Sequence, residues 1–179
     1  MIKSRFFLFL VAALFFAPLG HGNTLVILPK KPSVEVIRNL YIKASESQEN
    51  TEKLYNILKD VDCENNPTLA GYKAASMTLK AKYAEKIINK KKYFKEGAVL
   101  LESLISENPN NIELRLIRLS IQESVPKLLK YHKNIKEDAQ FIVKQLAHVK
   151  DKDKKEYIKA YAIKSYAFTS EEKTVLSKL

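Results

Sequence analysis

The sequence predicts an all-α fold: stacked helical hairpins, about eight helices in all, behind a cleaved signal peptide. Three observations carry this. Downstream of residue 22 only two glycines remain, Gly71 and Gly97, too few for the tight turns of a sheet protein. Helix-starting signals recur along the whole chain. The first helices of successive hairpins begin near Pro67, Asn110 and Asp153, a period of about 42 residues, as in stacked helical repeats.

The N-terminal segment reads as an export signal. Lys3 and Arg5 precede an apolar run from Phe6 to Leu19, followed by Gly20-His21-Gly22. A charged start, a short apolar middle and small residues at the end define a secretory leader. The run is shorter than the roughly 20 residues a membrane-spanning helix needs, and Pro18 breaks its end. Cleavage after Gly22 is expected, which places the product in the periplasm or outside the cell with no stable membrane insertion. Residues 23–32 follow as an extended arm, in which Thr24-Leu25-Val26-Ile27-Leu28 is bounded by Pro29 and Pro32. Residues 33–179 are expected to form one helical domain, a length suited to a single core.

Within that domain each helix has a physical start or stop. Ser33 caps a helix running to about Ser45, and a second spans about 49–60. Asn66-Pro67 sets a capping residue before a proline at the first helical position, where the missing N–H costs nothing. That helix is expected to reach about residue 89, with the next over about 92–107, stopped by Pro109. Asn110 with Glu113, Asn134 with Glu137 and Thr169 with Glu172 have capping-box spacing. They predict helices at about 110–130, 134–148 and 170–178, with one more at about 153–167. Pro126 is expected to kink or split the 110–130 segment. The last hairpin is short and rich in lysine, as a polar cap would be.

One stretch carries a family signature. Phe94, Gly97, Leu101, the Leu104-Ile105 pair and Pro109-Asn110-Asn111 follow the order of an aromatic, a small residue, a large apolar residue, an apolar pair and Pro-x-Asn. This resembles the second helix of a tetratricopeptide repeat, with Gly97 where alanine is usual. The likeness covers about 18 residues; the Trp and Leu-Gly of the family's first helix are missing and the period is longer than the family's. The resemblance implies a tetratricopeptide-like solenoid that holds peptides or partner helices. The whole chain also resembles small exported proteins of Gram-negative bacteria that have no assigned activity.

The formal net charge is +11, of which the leader carries two units. The charge is made almost wholly of lysine: the arginines are only Arg5, Arg38, Arg115 and Arg118. Phosphate readers favour the planar arginine fork over the solvated lysine point charge, so no nucleic-acid partner is expected and the lysines read as a solubilising surface. Cys63 is the single cysteine, which excludes an intramolecular disulfide and leaves it a bystander or an intermolecular linker.

Extending the repeat register past Pro109 puts Arg115, Arg118 and Gln122 where inward-facing Trp, Leu and Tyr would stand. Spacings of three and four align them in one stripe on a helix whose other faces carry Ile112, Leu114, Ile117, Leu119 and Ile121. A helix apolar nearly all round is central, and guanidinium groups buried there require partners. Glu85, Glu96, Glu102 and Asp138 are candidates. Two readings stay open. Arg115, Arg118 and Gln122 form a structural ion-pair and amide network, or they line a pocket for a small carboxylate or acidic peptide.

No catalytic or metal-binding pattern accompanies them. His132 and His148 lack a metal-spaced neighbour, and there is no H-E-x-x-H or G-x-S-x-G. A helical hydrolase of the lytic transglycosylase type requires a glutamate in a cleft. Glu85 and Glu113 are available for that role without a supporting motif. The nine tyrosines of the domain are expected to line the core or a groove; for Tyr157 and Tyr161 with Phe168 core packing is the expected use, and a sticky end for a partner is the alternative. The sequence thus predicts a non-catalytic interaction or scaffold module of the bacterial envelope, with no cofactor or metal, and a protein or peptide partner.

Overall fold

Ser33 accepts a hydrogen bond from the Val36 N–H at 3.3 Å and opens α1, Val34–Ala44. The computed structural model describes residues 32–61 and 65–179; the leader, the arm through residue 31 and Cys63 lie outside the described residues. Ser47 caps α2, Gln48–Leu58, through the Asn50 N–H. Asn66 accepts from the Leu69 N–H at 2.9 Å and opens α3, Pro67–Tyr83, with the proline in its first turn. The remaining helices are α4, Ile87–Glu107, α5, Ile112–Ser124, α6, Ile135–Gln145, α7, Lys152–Lys164, and α8, Ser170–Ser177. Among the described residues there are eight α-helices and no strand, and none of these helices is long and apolar enough to cross a membrane.

The differences from the sequence expectation have local causes. The helix expected to reach residue 89 stops at Tyr83, and α4 begins at Ile87 rather than near residue 92. The turn between them, Ala84-Glu85-Lys86, is made of good helix formers, so packing of α4 back onto α3 imposes it. Asn111 rather than Asn110 caps α5, accepting from the Glu113 and Leu114 N–H groups. The Glu113 side chain turns into the core instead of closing a capping box. Asn134 precedes α6, but its side chain donates to Glu137 at 2.8 Å and caps no backbone N–H. Thr169 and Glu172 do form the reciprocal box. Pro126 splits its segment as expected. Val125 is extended, as residues before proline favour, a 3-10 turn covers Lys127–Leu129, and Lys130 takes a left-handed conformation at φ 52°.

Sequential helices pack as pairs: α1 on α2, α3 on α4, α5 on α6 and α7 on α8. The odd-numbered α1, α3 and α5 also pack in succession. The α3–α4 contact is close because Gly97 lies against the Ala74 backbone carbonyl, where a Cβ would come within 2.6 Å. Two apolar clusters result. One joins α1 to α5 through Ile37, Leu54, Leu69, Tyr72, Leu101 and Ile117. The other joins α5 to α8 through Leu116, Leu119, Ile142, Ile158, Phe168 and Leu176. Each fully buried Leu or Ile among them is worth about 1.5–3 kcal/mol. Helix α5 supplies a face to both clusters, which is why its sequence is apolar nearly all round. Several contacts depart from a stack in which each pair touches only its neighbours: α1 bonds α5 through Arg38–Glu113 and Tyr41–Ser120, and the Arg38 guanidinium lies 5.3 Å from the Tyr157 ring centre of α7.

Candidate functional site

Arg115, Arg118 and Gln122 lie on the face of α5 that meets α6, and each is engaged by the chain itself. Arg118, only 3% exposed, donates from Nε and Nη2 to the two Asp138 carboxylate oxygens, both at 2.7 Å. Its Nη1 donates to Glu102 at 2.8 Å, whose other oxygen accepts from the Tyr131 hydroxyl. Arg115 donates from Nη1 to Glu137 at 2.7 Å and to Asp138 at 3.1 Å, and its guanidinium lies over the Phe141 ring. Its Nε is buried without an acceptor. Gln122 is fully buried; its Oε1 accepts the Asn134 N–H at 3.1 Å. Of the four partners named from the sequence, Glu102 and Asp138 are used. Glu85 sits in the α3–α4 turn and Glu96 is exposed.

The electrostatics of the cluster are closed. Burial works against the Arg118 charge, but hydrogen bonding to Asp138 and Glu102 outweighs it and holds the group above the ordinary guanidinium range. Burial lifts the Asp138 carboxyl above its usual range despite the pull of Arg118 and Arg115. Hydrogen bonds from Asn134 and then Arg115 hold Glu137 below the usual range. Two guanidinium groups therefore face three carboxylates, Glu102, Glu137 and Asp138, so an incoming anion meets repulsion as well as attraction.

A second ionic cluster escaped the sequence reading. Arg38, 5% exposed, donates from Nε and Nη2 to the two oxygens of fully buried Glu113 at 2.9 and 3.1 Å. The Tyr72 hydroxyl donates to Glu113 at 2.7 Å. The Tyr157 ring covers the guanidinium, and Tyr41 meets Tyr72 edge-on at 5.4 Å. Burial, and then the neighbouring Tyr157 and Glu113, drive the Tyr72 hydroxyl well above its ordinary pKa. Four helices meet at this point. The available signals were an arginine beside Ile37 in α1 and a glutamate between Ile112 and Leu114. A third cluster centres on Glu123, which accepts from the Tyr161 hydroxyl, from Ser165 Oγ at 2.6 Å and from the Ala167 N–H at 3.0 Å. Tyr157, Tyr161 and Phe168 thus pack inward, the expected one of their two uses, and the exposed aromatic of this region is Tyr166.

Glu113, proposed from the sequence as a cleft acid, is sealed in the core. Glu85 borders an open hollow of about 310 Å³ that is also lined by Glu52, Lys80, Tyr83, Lys86 and Tyr93. The Lys80 ammonium in this hollow is already held, 2.8 Å from Glu52 and 4.1 Å from the Tyr55 ring centre. Among the described residues no group of three or more His, Cys, Asp or Glu side chains is placed to hold a metal ion. Comparison with protein-family models, with curated proteins and with solved structures finds no match to the chain.

Proposed function

We propose that this chain is an exported, non-catalytic interaction module of the bacterial cell envelope, a tetratricopeptide-like framework that holds a protein or peptide partner. The observation that carries the reading is a division of labour among side chains. Arg38, Arg115 and Arg118 are all spent on internal carboxylates that lock helices together, while large apolar side chains remain outside. In the last pair Ile163, Tyr166 and Val175 are 52%, 69% and 52% exposed, apolar area that a bound partner would cover. The close α3–α4 approach at Gly97 supports the tetratricopeptide-like arrangement, because that is the role of the small residue in the resemblance. Lys3, Arg5 and the apolar run to Leu19 support export.

The test is affinity capture of the tagged protein from crosslinked envelope. A partner held by wild type and by Arg115→Ala, and lost by a folded Ile163→Asp/Tyr166→Asp variant, is the expected result. Absence of any partner from a folded protein would overturn the reading. The second reading, a small-carboxylate pocket on Arg115, Arg118 and Gln122, draws on one feature, the unaccepted Arg115 Nε. The excess of carboxylates around the two guanidinium groups weighs against it.

A further inference from the structure

Two turns that are distant in sequence lie at one end of the helical framework. Helix α3 turns into α4 at Ala84–Lys86, and α5 turns into α6 across residues 125–134. Phe94, in the third turn of α4, meets Tyr131 of the latter segment edge-on at 5.7 Å, so that segment lies beside the N-terminal part of α4 that leaves the first turn. Lys82 also reaches the Ser45 carbonyl, bringing the α1–α2 turn to the same end. Both segments present apolar side chains to solvent. Ile87 and Ile88 are 68% and 67% exposed, and Leu128 is 88% exposed beside Leu129. Burying them in the fold would have been worth about as much as any core leucine, yet the 3-10 turn and the left-handed Lys130 hold Leu128 outward.

The charge of these two segments is strongly positive, and the exposed Glu46 and Glu49 of the neighbouring α1–α2 turn offset only part of it. Over residues 82–95 and 125–136 the acidic side chain is Glu85 alone, against Lys82, Lys86, Lys90, Lys91, Lys92 and Lys95 in the first segment and Lys127, Lys130, Lys133 and Lys136 in the second. All but Lys90 are exposed. No carboxylate among the described residues forms an ion pair with any of them. The first turn of α4 adds backbone N–H groups without a side-chain cap, which also favour anions.

We propose that this end of the protein docks on an anionic lipid bilayer, with Ile87, Ile88 and Leu128 entering the headgroup region and the lysines engaging lipid phosphates. Apolar side chains ringed by lysine are the chemistry of interfacial attachment. Lysine stems lie along apolar surface while their charges reach the headgroups. The proposal goes beyond the protein-binding role and uses a different surface from Ile163, Tyr166 and Val175.

The chain contains no tryptophan, so a single introduced indole reports its own surroundings. Ile88→Trp and Leu128→Trp full-length proteins are mixed with vesicles of phosphatidylglycerol and phosphatidylcholine, or of phosphatidylcholine alone. Asn110→Trp, in the α4–α5 turn about 30 Å away along the 21-residue α4, serves as the control. The expected result is a blue-shifted, quencher-protected emission from the two turn positions on the anionic vesicles only, with none from Asn110→Trp. Adding Lys91→Glu/Lys92→Glu is expected to weaken the anionic-vesicle response by at least roughly thirtyfold. Vesicle-bound protein with unshifted emission at Leu128→Trp, as attachment through the leader alone would give, overturns the proposal. So does an equal shift at Asn110→Trp, or the same shift produced by a soluble acidic polypeptide without lipid.

Discussion

Replacing Arg118 by leucine tests whether the stripe on α5 is structural. The side chain is 3% exposed and makes three charge-assisted hydrogen bonds, two to Asp138 and one to Glu102. Without it, Asp138 keeps a single bond from Arg115 at 3.1 Å while remaining fully buried. Glu102 is 35% exposed and still held by Tyr131, so its loss is cushioned by water and the hydroxyl. The cost is therefore dominated by the stranded Asp138, and breaking a buried pair from one side costs about 3–5 kcal/mol. Removing Asp138 as well takes away the stranded charge, so Arg118→Leu/Asp138→Leu is expected to be at least about 2 kcal/mol less damaged than the sum of its single variants. Arg115→Leu, whose main partner Glu137 is 57% exposed, is expected to cost about 1 kcal/mol. Urea unfolding of the four variants, with slopes compared to confirm a common unfolded state, supplies the measurement. An Arg118→Leu protein within about 1 kcal/mol of wild type refutes the reasoning.

Three further outcomes are expected. Gly97→Ala places a methyl group against the Ala74 carbonyl and Thr78; the backbone oxygen cannot yield as a side chain can, so the α3–α4 pair is destabilised by about 1–3 kcal/mol in thermal or urea unfolding. Asn111→Ala loses the cap of α5 and costs about 1 kcal/mol, whereas Asn110→Ala changes little, read by the same unfolding curves. Stability is expected to fall steeply above about pH 10. Tyr72, Tyr131, Tyr157 and Tyr161 all have hydroxyl pKa values raised, first by burial. They hold their protons when folded and release them near the ordinary value when unfolded. Stability from them is thus complete below that value and lost as pH rises through the folded pKa values, each contributing a slope of up to about 1.4 kcal/mol per pH unit. Alkaline unfolding coincident with the rise of tyrosinate absorbance checks this, and gradual tyrosine ionisation in a still-folded protein would contradict it.

Local chemistry decided how much of this was readable in advance. The starts at Ser33, Asn66-Pro67 and Thr169 are legible because a cap contacts a backbone group three residues away. The choice between Asn110 and Asn111 is not, since either side chain suits the position and the turn after Pro109 selects between them. The α3–α4 turn carries no glycine or proline and is fixed by what α4 packs against. The apolar circumference of α5 announced its central place, and its stripe announced a need for carboxylates. Asp138 and Glu102 were found because they sit on the adjoining helices. The Arg38–Glu113 pair joins residues 75 apart, and no periodicity within one helix encodes such a meeting. The exposure of Leu128 was hidden as well. Continued past Pro126, the helix register would have placed it on an apolar face, whereas the break turns it to solvent.

The division between locked arginines and an outward-facing functional surface is tested most directly by the arginine side-chain NMR signals of the folded protein. The account predicts Nε–H resonances of Arg38 and Arg118 that exchange slowly with water and do not move when acetate, succinate or an acidic C-terminal peptide is added. Rapidly exchanging Arg118 signals that shift and slow on addition of such a carboxylate would show an open pocket and contradict the account.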